Sequence, residues 1–166
     1  MSDLFATANL ITGAPMASSG QLGVVDTVQQ FPLGTVVQGT DAVGGFAEYI
    51  YLKGVASTIV GSVVTFDEAG VTALITATSV GPVAVATAIT VASTFGWYGY
   101  TGTFPTDVVA NCADNAKLGR ETTNGKVGES YAAGYQIVGA VSRNSTTAAA
   151  VINCQFNRGW CGVDVA

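Results

Sequence analysis

Apolar and polar positions alternate over short stretches of this chain, and glycine-rich breaks separate the stretches. Residues 35–39 (TVVQG) are a β-branched run, and residues 41–45 (DAVGG) are a turn. Phe46–Lys53 (FAEYIYLK) has the clearest pattern. Successive strand side chains point opposite ways, so Phe46, Glu48, Ile50 and Leu52 share one face. Ala47, Tyr49, Tyr51 and Lys53 share the other. Residues 62–66 predict a further strand, residues 67–70 (DEAG) a hairpin loop closed by glycine, and residues 71–78 its return strand.

Gly81-Pro82 signals another turn, and residues 83–89 alternate large with small. Their alanine content also suits a helix, but the repeated β-branched residues and the adjacent Gly and Pro favour a strand. Residues 96–102 (GWYGYTG), 106–112, 116–119, 135–141 and 148–156 complete the predicted strands, with turns at 114–115 and 123–125 and a polar loop over 142–147. Turn signals recur about every 8 to 12 residues, the spacing of a sandwich or barrel. No segment pairs a helix cap with an apolar 3.6-residue period. The pattern predicts an all-β protein, a single β-barrel or β-sandwich over residues 34–166.

Residues 1–33 lack this order. They hold isolated apolar residues and no clear period, and are predicted to be an extended N-terminal arm. Leu4, Phe5, Leu10 and Ile11 are costly to leave in water, so an arm laid on a neighbour would bury them. A frayed terminus is the other reading.

Charged residues make up 10% of the chain, against roughly 25% in an ordinary domain. Either Ser, Thr, Asn and Gly solvate the surface, or much of it meets other protein, since interface cores are poor in charge. The net charge is −5, and the six basic residues are dispersed, with none before Lys53. No Lys/Arg cluster is present to neutralise phosphates, so direct nucleic-acid binding is not expected. The lack of an N-terminal basic region also argues against a secretory signal. The most apolar region, residues 71–95, is interrupted by Thr, Ser, Gly and Pro, whereas a spanning helix needs about 20 mostly apolar residues. No membrane partner is expected. Cys112, Cys154 and Cys161 are read as reduced, buried thiols made in a cytoplasm, with a Cys154–Cys161 bridge as the alternative in a released particle.

Histidine is absent, which removes Ser-His-Asp and Cys-His catalysis and His-containing zinc sites. No CxxC pair, P-loop or dinucleotide fingerprint occurs. Asp67 and Glu68 sit adjacent in a turn, so their side chains diverge, and Glu48 has no second acid to work with. Neither enzymatic activity nor a cofactor is expected. The aromatic cluster Trp97, Tyr98 and Tyr100 has three readings: sheet core, protein-binding anchor, or sugar-stacking platform. Arg158 and Trp160 near the chain end form a second candidate anchor.

Four segments carry a family resemblance: residues 31–38 (FPLGTVVQ), 46–54 (FAEYIYLKG), 96–98 (GWY) and 110–116 (ANCADNA). In this order, with Gly139-Ala140-Val141 after them, they make residues 31–141 resemble the small decoration, or cement, proteins of tailed-bacteriophage heads. The resemblance implies a β-barrel-like or β-tulip-like protein on the outer capsid surface, made in the host cytoplasm. It implies the major capsid protein as partner, neighbouring copies as a trimer or dimer, and a clamping role against internal DNA pressure. It carries no catalytic residues. Another virion component (a head-fibre base, tail or adaptor piece) and a carbohydrate-binding module are the alternatives.

Overall fold

The computed structural model describes residues 22–162. They form eleven strands: β1 (Val25–Asp26), β2 (Val36–Thr40), β3 (Phe46–Lys53), β4 (Val63–Phe66), β5 (Thr72–Leu74), β6 (Gly81–Ala86), β7 (Phe95–Val108), β8 (Lys117–Arg120), β9 (Val127–Gly128), β10 (Gln136–Ser142) and β11 (Ala150–Cys161). Hydrogen bonds join them in one mixed sheet, in which the β7–β9 pair is parallel.

The long strand β7 organises this sheet. Its 14 residues pair with β1, β3, β6, β9 and β11. One strand reaches so many neighbours by changing partners along its length. Its first half pairs with β3 and β6, and its second half with β11 and finally β9. The change falls at Gly102, where φ is +125° and an added Cβ would stand 3.0 Å from the Cβ of Ala47. A side chain is excluded there both by backbone conformation and by space.

Two hydrogen-bonded circuits share β7. One runs β7–β9–β8–β10–β11 and back to β7. The other runs β7–β6–β4–β5 and returns through β3, where Lys53 bridges Val71 just ahead of β5. The all-β expectation therefore holds. The eleven strands do not close into one clean barrel, because the two circuits share β7.

Strands β3, β4, β6 and the first half of β7 are apolar on both faces, since each face meets a core. Ile50, Leu52, Val64, Ala84, Ala86 and Tyr98 make a small core, with Phe66, Leu74 and Tyr100 half-buried against it. Their sequence neighbours Tyr49, Tyr51, Val63, Val83, Val85 and Trp97 face a larger core with Phe104, Leu118, Ile137 and Phe156. Each fully buried side chain of this size adds roughly 1.5–3 kcal/mol.

Other boundaries differ from those expected. Residues 96–102 and the first three of 106–112 belong to one strand, β7, instead of two. Strand β6 starts at Gly81, where a turn was predicted, and β11 runs five residues past Phe156, to Cys161. Residues 22–33, assigned from sequence to the arm, lie on the domain. Leu22 is buried, β1 pairs with β7, and Phe31 packs on Tyr51 at 5.3 Å between ring centres. The Tyr51 hydroxyl donates to Asp26 Oδ2 at 2.6 Å. Leu4, Phe5, Leu10 and Ile11 lie outside the described residues.

Candidate protein interface

Two of the predicted anchors belong to the interior. Trp97 is 3% exposed, with its ring centre 5.0 Å from that of Tyr51 and 5.2 Å from that of Phe31. Tyr98 is fully buried in the small core, and its hydroxyl lies 2.7 Å from Thr90 Oγ1. Burial raises its pKa. The reason is that β7 is covered on both faces here. Adjacent aromatic residues therefore enter two different cores, with neither left on a surface.

Tyr100 and Arg158 do come together, at the place where the small core opens to solvent, and Trp160 stands two residues beyond Arg158 on β11. The Tyr100 ring meets Phe66 edge-on at 5.9 Å. The Arg158 guanidinium lies over Tyr100, 5.6 Å from the ring centre, and forks onto Glu48, with Nη2 3.0 Å from Oε1 and Nε 3.1 Å from Oε2. The Thr101 hydroxyl also donates to Glu48 Oε2, at 2.8 Å. The Arg158 hydrogen bonds hold the Glu48 carboxyl below its ordinary pKa, against its partial burial, with Thr101 assisting. Glu48 is thus an orienting group for Arg158.

A bulge places Arg158 and Trp160. Arg158 has φ +44°, and the β10–β11 register shifts between Val138 and Ala140. Gly139 has φ +80° there, and a Cβ on it would fall 2.7 Å from the Asn157 carbonyl oxygen. Before the bulge, Cys154 and Phe156 point into the core. Beyond it, Trp160 turns outward and is 45% exposed. Bulges re-aim side chains in this way.

Trp160 stands opposite Val138 on β10 and Pro82 on β6, so the three form a row across three strands. Pro82 and Trp160 then line an open groove of about 720 Å³ together with Phe66, Val71, Val80, Asp67 and Glu68. Val80 is 66% exposed. Asp67 is fixed by its own turn, accepting from the backbone N–H groups of Ala69 at 3.0 Å and Val71 at 2.9 Å. The sequence reading did not single out Phe66, Val80, Pro82 or Val138. No local signal marks them, since only the long-range β6–β11 and β10–β11 registers bring them beside Trp160.

Among the described residues, Arg120 Nε and Glu121 Oε1 are the buried side-chain polar atoms without a hydrogen-bond partner. Arg120 is buried, donating to the carbonyls of Ser79 at 2.5 Å and Gly134 at 2.8 Å and lying over the Tyr135 ring. The three cysteines are free and buried. Among the described residues, no group of three or more His, Cys, Asp or Glu side chains is placed to hold a metal ion. The chain matches no family model, no curated protein and no solved structure.

Proposed function

We propose that the protein is a structural virion component, a decoration protein that binds the outside of a phage head and stabilises adjacent major capsid subunits. The half-exposed row Val138–Trp160–Pro82, continuous with the groove beside Phe66, is the observation that carries this reading. A large aromatic side chain set in apolar surroundings on a rigid sheet is what a binding anchor requires. The low charge of the chain favours protein contact over solvation across a broad surface. Arg158, held by Glu48 beside this row, adds a directed donor. A decoration protein needs no cofactor, and weak contacts repeated over a lattice give strong retention through multivalency.

Copy number per particle is the test. Quantitative mass spectrometry of purified particles is expected to give a number comparable to that of the major capsid protein, in the hundreds by the logic of one site repeated over a lattice. About a dozen copies or fewer would reject decoration in favour of a tail or adaptor role. Trp160→Ala is expected to lower capsid occupancy without unfolding the domain.

A further inference from the structure

We propose that the groove beside Trp160 receives a segment of a different protein that carries lysine or arginine next to an apolar side chain. This rests on the reading of that surface as the protein's interface, and adds the chemistry of the partner.

The floor of the groove is apolar, formed by Phe66, Val80, Pro82 and Trp160. Its charged members are both acidic, Asp67 and Glu68. The ion pairs among the described residues are Lys126–Asp107 and Arg158–Glu48, so neither acid is matched there. The Asp67 carboxylate is held in place by two backbone N–H groups, which keeps its charge beside the groove. A fixed anionic group next to a half-exposed tryptophan favours a cationic side chain flanking an apolar one.

The same charges disfavour the occupants this chain could itself supply. Residues 1–21 and 163–166 contain Asp3 and Asp164 and no lysine or arginine, so they offer no complementary side-chain charge. A two-fold contact with a second copy is self-complementary, and would bring the acids of one groove toward those of the other.

The full chain contains two tryptophans, Trp97 and Trp160, so their indole N–H signals in a nitrogen-15 spectrum separate core from groove. The probes are a blocked hexapeptide of alternating leucine and lysine and its leucine–glutamate counterpart. The lysine peptide is expected to shift the Trp160 signal and leave Trp97 unmoved, and the glutamate peptide to shift neither. The Asp67→Asn/Glu68→Gln double variant is expected to bind the lysine peptide roughly fivefold more weakly, the combined effect of two exposed ion pairs. Binding should also weaken as salt is raised. Equal response to both peptides, or none to the lysine peptide, overturns the proposal. So does a Trp160 signal that moves with protein concentration alone, which assigns the groove to a second copy. A Trp160 signal that moves when residues 1–21 are deleted assigns it to the chain's own terminus and overturns the proposal equally. A protein present in hundreds of copies per particle whose Trp160 ignores the lysine peptide would lose this inference and keep the decoration reading.

Discussion

Replacing Trp97 by alanine separates the two tryptophans by energy as well as by position. Trp97 is 3% exposed and packs against Tyr51 and Phe31 at ring separations of 5.0 and 5.2 Å. Truncating a buried aromatic side chain to alanine costs about 3–5 kcal/mol, from lost transfer energy plus the cavity left behind. Two aromatic neighbours lose their partner at once, which places Trp97→Ala no lower than the middle of that range, about 4 kcal/mol. A domain of this kind is stable by about 5–15 kcal/mol, so the variant keeps a much reduced margin. Trp160→Ala removes a side chain that is 45% exposed, and is expected to change stability by less than about 1 kcal/mol. Urea unfolding followed by circular dichroism measures both, with comparable slopes required for the comparison. Phe31 also loses its seat in Trp97→Ala, so the backbone N–H groups of residues 28–31 and 33 are expected to exchange faster with solvent than in the parent, by more than those of β11 do. A loss below about 1 kcal/mol for Trp97→Ala, or equal losses for the two variants, would refute the assignment of Trp97 to the core.

Two acids should respond to pH with opposite sign. The folded pKa of Glu48 is lowered, so its contribution is present above the ordinary glutamate value and is lost as pH falls through the folded value. Glu48→Gln is therefore expected to be less stable than the parent at neutral pH, by under about 1 kcal/mol for a partly exposed pair, and the gap should close in acid. Glu121 has its pKa raised by burial, and its Oε1 lacks a hydrogen-bond partner among the described residues. Its ionised form opposes folding, so stability falls as pH rises through the folded value. Glu121→Gln is expected to raise the urea midpoint at pH 7 and to lose that advantage near pH 4. The thiols offer a further check, since burial pushes Cys112 and Cys161 up and Cys154 up to about 12. A thiol-disulfide dye at pH 8 is expected to label none of the three in the folded protein and all three after unfolding. Rapid labelling of a folded sample would refute their burial.

The candidate site was only partly legible in the sequence. Arg158 and Trp160 are conspicuous as an arginine and a tryptophan close together in a charge-poor chain, and both lie on the surface. Trp97 and Tyr98 are equally conspicuous and lie inside. Residue type alone does not distinguish the cases, because an aromatic side chain serves a core and an interface for the same apolar reason.

Local chemistry by itself determined the elements whose causes are local. Phe46–Lys53 is a strand with the predicted bounds, and Asp67 closes its predicted hairpin loop through bonds to the N–H groups of Ala69 and Val71. Asp41 does the same in the predicted turn, accepting from Val43 and Gly45, with its second oxygen accepting from Thr103 on β7. Tertiary structure alone decided which neighbours each strand takes. Gly102 reads as a strand end in the sequence, yet it lets β7 continue from one set of partners to another. The short strand β9 has too few residues to carry a pattern, and exists through its pairing with β8 and β7. Where both faces of a strand are buried, alternation no longer tells inside from outside. Only the register that joins β11 to β6 and β10 puts Trp160 beside Pro82 and Val138, and so turns a lone tryptophan near the chain end into part of a surface.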